Sequence, residues 1–331
     1  MKMAKAQWKC FVEHDDLQRS SHVVSVIGHT AYIFGGELVP REPRDNKIFS
    51  VNLGESGQAL NATESTTAPS PRVGAASTPL HGRIYVFSGR GGTAMAPVDE
   101  AGSIWEYDPS ATSWSLIRPP HSSAAYPPAR SYHCMTTDGQ NSLFLHAGCP
   151  ESGRLSDLWR FDIQEKKWNQ LADAPGPQRG GTSICYVEGR LYRMNGFDGK
   201  TEQGGNIDIY DIDADSWSTK SFPADGASGP EARSVGTLLP VKVRGKQMLV
   251  TLFGEHDPSS LGHAGAGNML GNWWLYDIAE DKWTKGENGS GVAPAPRGWF
   301  DADVMEESKV MVAGGLSETN ERLKDVWVLS F

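Results

Sequence analysis

Four side chains able to bind a metal, Glu255, His256, Asp257 and His263, fall within one glycine-rich stretch of the chain, Gly254 to Gly267. Glycine lets the backbone fold tightly enough to bring such groups together. Carboxylate and imidazole suit iron, manganese or zinc, so the residue types leave the metal open. A two-histidine, one-carboxylate set using His256 would leave coordination positions for a substrate. The competing expectation is a polar surface loop whose histidine and aspartate only form turns.

Arginine supplies a second kind of chemistry. Arg72, Arg130, Arg179, Arg233 and Arg297, with Arg19 a looser sixth, each stand at or just before an apolar segment. A guanidinium is a planar fork matched to sulfate, phosphate or carboxylate. Six of them at one mouth would focus a small anion on an otherwise acidic protein. The expectation for most of them is structural, holding neighbouring loops through backbone carbonyls and acids. Arg90 and Arg154 fall outside this pattern, at loop starts. Trp299 stands where the equivalent segments have Gly74, Tyr132, Gly181 and Val235. There it would form an apolar wall for a ligand or pack between structural units.

Other chemistries lack their residues. The sequence has no phosphate-binding glycine loop, no GxSxG elbow and no HExxH pair. Cys10, Cys134, Cys149 and Cys185 are scattered, with neither zinc-site spacing nor a disulfide framework. That points to a reducing, cytoplasmic location. The first thirteen residues carry lysines but no apolar core of a signal peptide. A net charge of −9 argues against nucleic-acid or membrane-surface partners.

The elements that must position these residues repeat. An arginine opens an apolar strand, a turn follows, and a second strand ends in a glycine or glycine pair. After a variable loop comes an aromatic strand ending near an aspartate, then a tryptophan. Copy three shows it whole: Arg130, Leu143-Phe144-Leu145-His146-Ala147-Gly148, Leu158-Trp159-Arg160-Phe161-Asp162 and Trp168. Six copies recur at roughly 50 to 60 residues, near the ~50 of kelch repeats. Four short strands per copy make a propeller blade, and blades must stack around an axis to bury both faces. The expected fold is therefore all-β, a six-bladed kelch β-propeller forming a single domain over residues 1–331. Copy six lacks its fourth strand, and Gln7-Trp8-Lys9-Cys10-Phe11 is the candidate to close the ring. The last strand of blade one is expected near Gly57 to Asn61, without a tryptophan. Trp114, Trp168, Trp217 and Trp283 are expected to be core.

The whole chain resembles kelch β-propellers. More narrowly it resembles the specifier proteins of glucosinolate breakdown: nitrile-specifier, epithiospecifier and thiocyanate-forming proteins. The residues that carry the likeness are Ser88-Gly89-Arg90, Gln178-Arg179-Gly180-Gly181, the loop from Gly254-Glu255 to His263, and Pro296-Arg297-Gly298-Trp299. The resemblance implies an Fe(II)-dependent lyase acting on a thiohydroximate-O-sulfate, with myrosinase acting upstream and a nitrile or related product. It implies Fe2+ held by a glutamate, an aspartate four residues on and a histidine eight on. Glu255 and His263 match. Position 259 is Ser259, so Asp257, Ser259 and His256 remain the candidates for the third ligand, Asp257 being the nearest acid. By the same resemblance Arg90 and Arg154 would hold the sulfate and Trp299 would stand beside the substrate. The rival reading is a non-enzymatic kelch scaffold, monomer or dimer, that binds a protein partner through its loops. The charged, proline-containing segment Glu37 to Lys47 would serve it as a lip.

Overall fold

In each repeat, alternating apolar residues and a tight turn make a hairpin, and two more strands extend it outward. The computed structural model describes residues 4–54, 60–120 and 125–331, with the His263 side chain outside that description. Blade three is typical. Its antiparallel strands run Cys134–Thr137, Ser142–Gly148, Leu155–Asp162 and Lys167–Leu171, in that order from the axis. Blades one, two, four and five repeat this order, beginning with Ser20–Ile27, Ala76–Leu80, Ser183–Val187 and Thr237–Val243.

Blade six is built from both ends of the chain. Asp301–Met305, Lys309–Ala313 and Asp325–Ser330 are joined by Ala4–Glu13, antiparallel, with Trp8 opposite Leu329. The expected N-terminal strand is thus in place. It also runs beside blade five, where Ala4 to Ala6 pair in parallel with Gly286 to Asn288. On the far side, blade six meets blade one through two carboxylates. Asp301 Oδ2 accepts from Val24 N at 2.6 Å, and Asp303 Oδ2 accepts from Val26 N at 2.7 Å. No helix among the described residues is long and apolar enough to cross a membrane.

The fourth-strand tryptophans wedge between blades. Trp114 of blade two lies 5.1 Å from Phe34 of blade one, and Trp168 of blade three lies 5.5 Å from Phe87 of blade two. Trp8 of blade six stacks on Phe253 of blade five at 5.6 Å. The last strand of blade one is Leu60–Thr63; residues 57–59 of the expected span lie outside the described residues. Leu60 replaces the tryptophan there and packs on the shared core of blades one and six.

Candidate functional site at the propeller mouth

The six repeat arginines are buried, from 0% to 7% exposed. Each donates Nη1 to the carbonyl just before its blade's glycine: Gly35, Ser88, Ala147, Asn195 and Phe253, and Gly314 at the glycine pair of blade six. Five of them also hold a carboxylate: Asp45, Glu100, Asp157, Glu231 and Asp325. The structural expectation holds, and the mouth is not a ring of free cations. A buried guanidinium must satisfy its donors, and the nearest acceptors are the carbonyls that the crowded glycine turns leave over.

What the arginines hold is a closed ring of backbone. The residue two places after each arginine donates its N–H to its counterpart in the preceding blade: Gly74 to Ser21, Tyr132 to Gly74, Gly181 to Tyr132, Val235 to Gly181, Trp299 to Val235, and Ser21 to Trp299. All six adopt left-handed backbone, from φ 47° at Val235 to 61° at Gly181. This bond network fixes Trp299, Tyr132 and Val235 around the axis. One residue nearer each arginine, the chain pairs with the residue after the blade's glycine. Those partners are Glu37, Arg90, Cys149, Phe197, Glu255 and Leu316. The approach leaves no room for a side chain at the glycine: a Cβ on Gly254, at φ +104°, would sit 2.7 Å from Ser234 O.

Between these rings lies a cavity of about 290 Å³, lined by Tyr132, Cys149, Arg154, Phe197, Glu255 and Trp299 among others. Tyr132, Val235 and Trp299 also line the central channel of about 300 Å³, so they partition the two spaces. Arg154, Glu255 and Trp299 therefore share one cavity. Arg154 is half-buried, lies over the Phe197 ring at 5.0 Å and makes no ion pair among the described residues. Its Nε is buried without a partner. Arg90 differs. It donates to Ser131 Oγ at 2.9 Å, Met95 O at 3.1 Å and Pro150 O at 2.8 Å, and it does not line the cavity. Its donors tie three segments together, so the expected direct hold on sulfate does not fit its geometry.

Glu255 is 4% exposed, and Oε1 accepts from Gly267 N at 2.8 Å. Burial pushes its carboxyl up to about 7, and the nearby Glu202 carboxylate adds to the rise. Glu202, absent from the sequence-derived set, is itself raised by burial and accepts from Ser234 Oγ at 3.2 Å. Cys149 is a further member that spacing alone did not suggest. Burial raises its thiol although Arg154 and Arg90 both pull it down.

Asp257 stands apart from this cavity. Two residues along a strand would share a face with Glu255, but the strand Glu255–His256 ends and Asp257 turns at φ 58°. Its carboxylate is 69% exposed, 3.6 Å from His256 Nε2, and accepts from Asn268 Nδ2 at 3.4 Å. His256 itself is turned to the Ala232 carbonyl, 2.8 Å from Nδ1. The backbone of His263 lies in the short turn Gly262–Ala264, and its side chain lies outside the described residues. Among the described residues no three of His, Cys, Asp and Glu gather as a metal site. Of the candidate ligands, Glu255 and Ser259 line the cavity and the Asp257 carboxylate faces away from it.

Comparison with known proteins places this architecture. The KLHDC2/KLHL20/DRC7 Kelch-repeats domain model matches residues 21–254. The chain is similar to the N-(sulfonatooxy)prop-2-enimidothioate sulfolyase of Thlaspi arvense, 27% identical over 93% of this chain and 91% of that protein. It is also similar to Adagio-like protein 3 of Oryza sativa subsp. japonica, 26% identical over 98% of this chain but only 50% of that protein. The solved structure of YjhT superposes with a TM-score of 0.70 at 14% identity, covering 96% of this chain and 95% of that one. With a family model spanning most of its length and the blades it requires, the chain belongs to the kelch-repeat family.

Proposed function

We propose that the mouth cavity receives a thiohydroximate-O-sulfate, the aglucone that myrosinase releases from a glucosinolate, and directs it to a nitrile. The observation that carries this reading is Arg154: a guanidinium without a carboxylate partner among the described residues, on the wall of a cavity shared with Glu255 and Trp299. Similarity along nearly the whole chain to a sulfolyase supports the same substrate class.

The reaction balances without an oxidant. The C–S bond of R–C(S⁻)=N–O–SO₃⁻ breaks and its electron pair becomes the third C–N bond. The N–O pair leaves with sulfate, and the sulfur, left with six valence electrons, transfers as S⁰ to the thiolate of a low-molecular-weight thiol, which becomes a persulfide. Arg154 holds the sulfate and stabilises the charge that grows on it. Arg90 supports Ser131 beneath the site and adds positive potential. Trp299 and Phe197 pack the side chain and exclude water. Glu255, with its carboxyl near 7, offers a protonated neighbour rather than a second repelling charge below neutral pH.

No step here runs through a metal. If ferrous iron belongs to the site, anaerobically purified protein carries it in stoichiometric amount, and Glu255→Ala and His263→Ala each lose it. The function itself is tested by adding the protein to myrosinase and a glucosinolate. Nitrile in place of isothiocyanate, lost in Trp299→Ala and Arg154→Gln, supports the reading. An unchanged isothiocyanate yield, with and without added Fe2+, removes it in favour of partner docking. The exposed Leu38 and Val39 on the first blade's long hairpin are the observation favouring that rival.

A further inference from the structure

Blade four breaks a rule that the other five blades obey. Its arginine, Arg179, is 7% exposed and has no carboxylate partner among the described residues. Nε donates to Pro177 O and Nη1 to Asn195 O, both at 3.1 Å, which leaves Nη2 without a partner among the described residues. The missing acid can be traced in the repeat. In blades three and six it is the residue four before the third strand's aromatic or leucine, Asp157 and Asp325; in blade four that residue is Asn206. In blade five it comes instead from two places before the arginine, Glu231; in blade four that residue is Pro177.

A cavity of about 120 Å³ lies at this spot, lined by Arg179, Arg193, Gln203, Asn206, Asp208 and Thr219 among others. Asp208 neutralises Arg193, accepting from its Nε at 3.0 Å, and takes a further bond from Thr219 Oγ1 at 2.6 Å. One positive charge is left over, on Arg179. Burial, with Arg193 adding to it, pushes Arg179 down to about 10. Blade five shows how such a charge is met. There Glu231 accepts from Arg233 Nη2 at 2.9 Å and from Asn272 Nδ2 at 3.1 Å, and Asn272 is the repeat equivalent of Asn206. Asn206 Oδ1 already accepts from Ser221 Oγ at 2.8 Å, so its Nδ2 is without a partner among the described residues.

We propose that this cavity binds a small monoanionic carboxylate, of formate to acetate size, held by Arg179 and Asn206 where the other blades supply their own acid. Asp208 in the wall disfavours a dianion. The site is separate from the mouth cavity and independent of the function proposed there.

Acetate is the probe. Saturation transferred from the protein to the acetate methyl in NMR, at constant ionic strength with chloride as the balance, reads binding directly. Pro177→Glu rebuilds blade five's arrangement, and Asn206→Asp rebuilds blade three's; both leave the mouth cavity untouched. Transfer in wild type that weakens roughly tenfold, as expected for a lost charge-assisted bond, in whichever variant folds supports the site. No transfer in wild type, or transfer undiminished in the folded variants, overturns it.

Discussion

Arg90 and Arg154 open loops on neighbouring blades, yet one guanidinium is spent on the protein and the other is not. Arg90 meets three neutral oxygens, while Arg154 leaves Nε without a partner among the described residues, beside an aromatic ring. A charge-assisted hydrogen bond is worth about 1.5–3 kcal/mol, so Arg154→Gln is expected to lower kcat/KM on the sulfated substrate by roughly 10- to 100-fold. Its Tm should stay close to wild type. Arg90→Gln should do the reverse in part, lowering Tm because Ser131, Met95 and Pro150 lose a shared donor. Steady-state kinetics beside thermal melts separate the two roles. Spacing placed both residues at loop starts but could not distinguish them, because the acceptors around Arg90 lie up to 60 residues away. Asp257 shows the same limit at shorter range. Its separation from Glu255 by two residues suggests convergence, and a single left-handed residue undoes it.

Blades are held to one another by the aromatic strand ends. Trp168 is 3% exposed, reaches Phe87 and Phe161, and donates Nε1 to Gly102 O of the neighbouring blade at 2.7 Å. Trp168→Ala opens a cavity at this interface and is expected to cost about 3–5 kcal/mol, measured by denaturant unfolding. This part of the fold was readable in advance, because a tryptophan at a fixed place in each repeat can serve only a repeated interface. Blade one's Leu60 was readable as an exception and not as a solution: the core it joins is shared with blade six, from the other end of the chain. The six positions after the blade glycines were equally open to the eye in the repeat alignment. They became meaningful only once pairing with the residues after the arginines set them around one mouth.

Closure of the whole ring rests on two seams. One is the N-terminal strand completing blade six; the other is the pair of carboxylates that blade six offers to the backbone of blade one. Burial pushes Asp301 up to about 7 and Asp303 up to about 6, both above the ordinary 3.8. The folded chain then holds protons that the unfolded chain releases. That stability is full below about 3.8 and is lost as pH rises through 6 to 7. Tm is therefore expected to fall between about pH 4 and pH 7. The Asp301→Asn, Asp303→Asn double variant keeps an acceptor for Val24 and Val26 and should flatten that fall. A wild-type Tm that rises over the same range would contradict this account of the seam.

From residue order alone came the propeller, its six blades, the strand that closes it and the structural duty of the repeat arginines. These follow from period, alternation and the conformational freedom of glycine, all of which act over a few residues. The tertiary structure decided which side chains share the mouth. It brought Arg154, Glu255 and Trp299 from three blades into one cavity and turned Asp257 to solvent. Those outcomes depend on where loops of different blades point once the ring has closed, and that direction is set by contacts between residues far apart in the chain.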